Sequence, residues 1–242
     1  MADRLALCYH AVSERWPAAL SARPGAFEAQ LHFLSGHGYR AARFSDLVAG
    51  TTHKAVAITF DDAFRSVYDL AFPLMQKLGL TGTVFAVTAY PGNTTMSWDG
   101  VDQWLGGEFE AEMAPMSWDQ LGELQEAGWE VGSHTHTHPR LTTLDDDELA
   151  RELEESRAIC SERMGTDCRS IAYPYGDHNA RVVAAASAAG YDTACTLPSR
   201  PHRPEPLRWP RVGVYHADTL SRFRTKVSPL VRRVRADRER LG

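Results

Sequence analysis

Short apolar, β-rich runs recur along the chain at Leu5–Tyr9, Val56–Phe60, Thr83–Val87, Trp129–Val131, Ser170–Tyr173, Tyr191–Thr196 and Val212–Tyr215. Between them the apolar positions change to helical spacing. Phe27, Leu31 and Leu34 form one stripe, and Leu70, Leu74 and Leu78 form another in which Pro73 marks a kink or boundary. Ser117 with Gln120 is a capping-box signature that leads into Leu121 and Leu124 and stops near Gly128. Leu149, Leu153 and Ile159 ride on a helix whose first turn carries Asp145 to Glu148, the charge sign that a helix N-terminus favours. Asn179 to Ala189 reads as a small-residue helix ended by Gly190. Strand and helix in alternation imply parallel strands joined by crossover helices. About seven strands in one domain predict an α/β fold, a barrel or barrel-like, with chemistry at the C-terminal strand ends.

Composition narrows the class. A length of 242 residues, 43% hydrophobic and 24% charged, suits one globular domain or at most two. With 26 basic against 31 acidic residues the net charge is −5, so no global positive field exists for a nucleic acid and none is expected as partner. The four cysteines form no C-x-x-C pair and are too few for a disulfide framework, which fits a reducing compartment. Asp3, Arg4, His10, Glu14 and Arg15 interrupt the start against a secretory signal, and no run approaches the roughly 18 apolar residues of a membrane span. The expectation is a cytoplasmic protein.

Charge is uneven: Ser221 to Gly242 holds eight Lys/Arg against two acids, a local balance of +6 that leaves −11 for the rest. Residues 1–220 are therefore read as the main domain and 221–242 as a basic C-terminal helix or tail. Phe223, Val227, Leu230, Val231 and Val234 fall at helical spacing there, so an amphipathic helix docked on its own domain is preferred to weak contact with an anionic surface. The segment Pro91–Met116, with Trp98, Trp104, Phe109 and four glycines, reads as an insertion that either covers a barrel end or acts as a substrate lid.

Candidate chemistry sits at two strand ends. Ile58 to Asp62 places two carboxylates where an apolar strand should stop; alone, such a pair is more often a helix cap. Downstream, His134, His136 and His138 put three of the ten histidines within five residues, for which metal ligation is the usual reason. A strand continued through the cluster would present all three on one face as a three-histidine zinc site. A turn after Gly132 would instead let two of them join Asp62 in a two-histidine, one-carboxylate site. The second geometry fits better, because it leaves open coordination positions and sets Asp61 beside the metal as a base. Non-haem iron oxygenases use the same ligand set, but on a scaffold unlike this parallel α/β pattern.

These motifs, T-F-D-D at Thr59–Asp62, S-H-T-x-T-H-P-x-L at Ser133–Leu141 and A-Y-P-Y-G at Ala172–Gly176, resemble the polysaccharide deacetylases of carbohydrate esterase family four. Their shared unit is the NodB homology domain, a distorted (β/α) barrel, and the resemblance runs from about Leu5 to Tyr215. It implies Asp61 as general base, Asp62, His134 and His138 as ligands of a divalent metal, with zinc expected, and Tyr175 as backbone N–H donor to the oxyanion. It places His136 outside the ligand set and implies an N-acetylated sugar as substrate. Two departures stand out. Ala172 occupies a position where the family often carries an Arg, so the clamp on the catalytic aspartate is missing. The late acid histidine is matched only loosely by His216, whose neighbour Asp218 suggests a surface turn, whereas Leu7-Cys8-Tyr9-His10 resembles the N-terminal strand of the poly-N-acetylglucosamine deacetylase branch. His10 is preferred to His216 as the acid. Cys8 is read as a packed strand thiol without a catalytic role. The expected function is metal-dependent hydrolysis of an N-acetyl group from an acetamido sugar in an oligo- or polysaccharide or glycoconjugate. The alternatives are an allantoinase-like ring-opening amidase and a non-catalytic carbohydrate-binding protein.

Overall fold

A computed structural model describes residues 3–198 and 203–232. The first apolar run becomes β1 (Arg4–Tyr9), followed by β2 (Ala11–Val12), β3 (Ser21–Ala22), α1 (Pro24–Gly36), β4 (Arg40–Ala41), α2 (Phe44–Ala49) and β5 (Ala55–Phe60). A π-helical turn at Val67–Ala71 leads into α3 (Phe72–Lys77), then β6 (Thr83–Ala86), α4 (Trp118–Glu126), β7 (Glu130–Ser133) and α5 (Asp146–Met164). The chain continues through β8 (Ser170–Ala172), α6 (Ala180–Ala188), β9 (Thr193–Thr196), β10 (Trp209–Pro210), β11 (Val212–Gly213) and α7 (Leu220–Val227). All seven expected strands are present. The additional β2, β3, β4 and β10 are two residues each, too short for any periodicity to signal.

Every described strand pair is parallel. The main sheet runs β10-β9-β8-β7-β6-β5-β1-β11, with β4 added against β5, and β2 pairs with β3 apart from it. Its two end strands, β10 and β11, are separated in sequence by Arg211 alone. The chain there steps from one sheet edge to the other: Arg211 N–H bonds the Thr196 carbonyl at 3.2 Å and Val214 N–H bonds that of Cys8 at 2.9 Å. The sheet is thereby nearly closed into a distorted (β/α) barrel, and Arg211 stands at the seam.

The capping box read at Ser117 with Gln120 forms at α4, and at α5 the acidic run does more than favour the helix dipole: Asp145 is the N-cap and makes a second capping box with Glu148. The stripe through Leu70, Leu74 and Leu78 is corrected. Val67, Ala71 and Met75 are the residues buried there, and Leu70 is 43% exposed. The cause is the π turn, in which Phe72 N–H bonds Val67 O five residues back and rotates the inward face.

The core braces the strand that carries the two aspartates: the Phe60 ring lies 5.7 Å from Trp129, 5.6 Å from Tyr9 and 5.9 Å from Phe27. Gly132 lets β7 approach its neighbours just before the histidines, since a Cβ there would meet Phe85 at 2.7 Å and Ser170 Oγ at 2.5 Å. The insertion Pro91–Met116 is fastened back on the site-bearing loop by Met116 N–H to Ala63 O at 2.9 Å and Arg65 N–H to Ala114 O at 2.8 Å. On α7, Phe223 and Val227 are buried, Phe223 edge-on to Phe33 at 6.1 Å, while Leu230 is 71% exposed. Val234 and the rest of the basic stretch from 233 to 242 lie outside the described residues. No described helix is long and apolar enough to cross a membrane.

Candidate active site

Five non-glycine residues among those described have positive φ: Asp62 (69°), Ala63 (57°), Thr135 (69°), His138 (69°) and Tyr175 (60°). All five lie in the three motif loops at the C-terminal ends of β5, β7 and β8. Left-handed backbone at a residue with a Cβ costs about 1–3 kcal/mol each, and such cost concentrates where side-chain aim is worth more than local stability.

The turns bring together Asp62, His134 and His138, whose candidate ligand atoms all lie within 4.8 Å of one another. Nε2 of His134 and of His138 stand 3.4 and 3.5 Å from the same Asp62 Oδ1, and none of the three residues exceeds 5% exposure. His134 Nδ1–H donates to the Ala172 carbonyl at 2.7 Å, which fixes the tautomer and leaves Nε2 with a lone pair aimed at Asp62. Asp62 Oδ1 is buried without a hydrogen-bond partner. Burial, then the charge of Asp61, pushes the Asp62 carboxyl well above its ordinary range; burial holds both imidazoles below theirs, His138 further lowered by His134. A buried orphan carboxylate oxygen facing two neutral imidazole nitrogens is a donor set that a divalent cation would satisfy. His136 turns away, its Nδ1 paired with Thr88 Oγ1 at 3.0 Å, so the three-histidine geometry is not adopted.

Asp61 is clamped after all. Arg211 grips it with two parallel bonds, Nη1 to Oδ1 and Nη2 to Oδ2, both 2.6 Å, and both side chains are buried. Nη1 also reaches Thr59 Oγ1 at 2.9 Å, and Nε the Thr196 carbonyl at 3.4 Å. Burial alone would raise Asp61, but the charge and hydrogen bonds of Arg211 hold its carboxyl well below the usual range. The clamp expected at position 172 comes instead from the barrel seam: Ala172 is level with Cys195, Cys195 with Trp209, and Arg211 follows two residues on. The one available signal in the sequence was a lone Arg within the apolar run Trp209 to Val214, which periodicity reads as strand.

His10 follows β1 directly, beside this pair, and burial pushes it down to about 4 although the charge of Asp61 pulls it back up. His216 instead faces Arg23, Nη2 to Nε2 at 3.2 Å. Its neighbour Asp218 is no surface turn residue: it is buried and paired with Lys226 at 2.5 Å. Cys8 is fully buried, as a packed strand thiol should be, yet its Sγ also lies 3.4 Å from Asp61 Oδ2. Cys8, His10 and Asp61 are as compact a set as the first. Arg211 already neutralises Asp61 there, and a second cation so near a buried guanidinium would be repelled. Tyr175 and Trp98 wall the site, their rings 4.7 and 4.4 Å from that of His138. Tyr175 Oη–H donates to Asp99 O at 3.1 Å, which ties the insertion down beside His138, and Arg140 lies over the Tyr175 ring at 4.1 Å.

Fold and site together define a barrel whose strand ends gather a carboxylate-and-histidine cluster able to hold a metal ion, beside an aspartate clamped by arginine. Residues 49–194 match the polysaccharide deacetylase family, and the chain belongs to it. It is similar to YxkH of Bacillus subtilis, named as a polysaccharide deacetylase, with 24% identity over 78% of this chain and 63% of that protein. It is also similar to the poly-beta-1,6-N-acetyl-D-glucosamine N-deacetylase of Staphylococcus epidermidis, with 25% identity over 78% of this chain and 66% of that protein. The chain thus spans just under two thirds of these relatives' lengths. Among solved structures, the Streptococcus pyogenes deacetylase PplD superposes with TM-score 0.76 at 20% identity over 94% of this chain and 99% of that one. IcaB from Ammonifex degensii gives 0.73 at 24% over 96% and 98%. At these identities the likeness is one of fold.

Proposed function

We propose that this chain is a zinc-dependent N-deacetylase that hydrolyses the acetamide of an N-acetylated sugar in an oligo- or polysaccharide. The observation that carries the reading is the convergence of Asp62, His134 and His138 on one point, with Asp61 kept ionised beside it by Arg211. A divalent cation held by those three side chains would supply Lewis-acid polarisation of the acetamide carbonyl. Asp61 takes the proton of the attacking water. Arg211 takes one position on each carboxylate oxygen and Cys8 Sγ approaches Oδ2 at 3.4 Å, while that same Oδ2 lies 3.9 Å from His134 Nε2, on the side of the three-residue group. The clamp lowers basicity but secures ionisation and aim. His10, neutral at pH 7, takes up a proton during turnover and delivers it to the departing amine. The Tyr175 backbone N–H is assigned to the developing oxyanion.

The name of the staphylococcal relative makes β-1,6-linked N-acetylglucosamine oligomers the first substrate to try. A ring-opening amidase is disfavoured by the complete metal group, and a non-catalytic binder would have no use for a clamped, ionised Asp61. Acetate release from those oligomers should occur, stop with a chelator and return with zinc. His134→Ala should retain less metal than wild type by elemental analysis; equal metal content would sink the ligand assignment.

The two candidate acids separate cleanly. His10→Ala is expected to lose about 10²-fold in turnover with metal content unchanged, and His216→Ala to stay near wild type. The opposite pattern in steady-state rates would transfer the role to His216.

A further inference from the structure

We infer that Glu152 is a positioning residue for His138 and thereby sets the affinity of the site for its metal; this rests on the metal-dependent reading above. The two imidazoles are held differently. His134 follows directly on β7, where its N–H bonds the Ala86 carbonyl at 2.7 Å, and its ring is oriented by the Nδ1–H bond to Ala172 O at 2.7 Å. His138 lies beyond the strand, and its Nδ1 is buried without a hydrogen-bond partner. Ring orientation at His138 therefore depends on ring packing and on where the backbone puts it.

That backbone is the three-residue link Thr135–Thr137, bounded by left-handed φ values at Thr135 and at His138 itself. Glu152, on α5, grips its middle. One carboxylate oxygen, Oε2, accepts the N–H groups of His136 at 2.8 Å and Thr137 at 2.9 Å, while Oε1 accepts the Thr137 hydroxyl at 2.5 Å. One helical turn on, Ser156 Oγ meets Ser133 Oγ at 2.9 Å, and Ser133 Oγ in turn accepts Thr135 N–H at 3.1 Å. Glu152 and Ser156 are an i, i+4 pair, so a single face of α5 splints both ends of the loop. The helix is fit for this, with 19 residues, a capping box and Leu149, Leu153 and Cys160 buried. Charge-assisted bonds to two successive N–H groups constrain the link more tightly than water could, because water would follow the loop if it relaxed out of its strained turns. Removing a group that hydrogen-bonds a ligand directly typically weakens metal binding about 10–100-fold, and Glu152, which holds the two residues before the ligand, belongs at the lower end of that range.

Metal-stripped protein titrated with zinc against a chromophoric chelator tests this, with the melting temperature of the same stripped samples recorded alongside. Glu152→Ala should bind zinc about 10-fold more weakly. Glu152→Gln, whose amide oxygen still accepts from the two N–H groups, should recover part of that loss and carries the test if the Ala variant does not fold. Glu155→Ala, exposed on the same helix, should match wild type. Unchanged zinc affinity in Glu152→Ala overturns the inference even where its melting temperature falls, and leaves the metal reading standing. Absence of zinc, manganese and cobalt binding in wild type brings down the metal reading and the inference with it.

Discussion

Turnover in Asp61→Asn is expected to fall by about 10²–10⁴-fold while the metal content stays at the wild-type level. Asparagine keeps the size and one acceptor oxygen but cannot take a proton from water. Asp62, His134 and His138 do not depend on Asp61 for a ligand atom, and loss of its charge removes one of the causes that raise Asp62. Acetate-release kinetics with elemental analysis of the same preparation decide the matter. If Asp61→Asn loses its metal, Asp61 is itself a ligand and the division between the two aspartates is wrong. The variant also leaves Arg211 buried opposite a neutral partner, so some loss of stability accompanies the loss of rate.

Replacing Arg211 by Met should be the most damaging single change for stability, at about 3–5 kcal/mol, because a buried carboxylate is left without its counter-charge. Activity should fall by at least about 10²-fold in the variant that still folds, since a base displaced by about 1 Å loses that much. Because the two residues form one buried unit, their effects should not add: the double variant Asp61→Asn with Arg211→Met should lose less stability than the two single losses together. Strict additivity in urea unfolding would mean that the pair is not coupled. The pH dependence has a definite sign. In wild type the folded Asp61 titrates below its unfolded value of ~3.9, so its contribution is fully present above that pH and is lost as pH falls towards the folded value. In Arg211→Met burial acts without the clamp and raises Asp61, so the penalty is present at pH 7 and eases on acidification as the group protonates. The stability gap between wild type and Arg211→Met should therefore be wider at pH 7 than at pH 4.5. A gap that widens on acidification would contradict the assigned role of the guanidinium.

Much of this was legible in the chain. Alternating apolar runs and helical stripes determine a parallel α/β sheet, because a strand covered by crossover helices needs continuous apolar sequence and the helices need one apolar face. The capping box at Ser117 and Gln120 forms as read, since a cap involves residues three apart and no tertiary partner. Asp61, Asp62, His134 and His138 were identifiable as a site because strand ends in such folds face one another, so residues at the ends of β5 and β7 meet whatever the loops do. The choice between three histidines and two with an aspartate is where sequence stops. It is made by the left-handed turns at Thr135 and His138, and φ at a single residue carries no periodic signal.

Tertiary structure decided the rest. The inward face of the segment before α3 depends on one π turn that the leucine spacing cannot register. Glu152 drew no reading from the sequence, and only packing sets it against His136 and Thr137, 16 and 15 residues away. Arg211 is the largest case. It lies 150 positions from Asp61 in the chain, and the two meet because the sheet rolls far enough for β10 and β11 to bring its edges together. An arginine in an apolar run is ambiguous in sequence, since periodicity reports which face a residue takes and not what charge waits across the barrel. The closing of the sheet supplies that charge, and burial then makes the pairing obligatory.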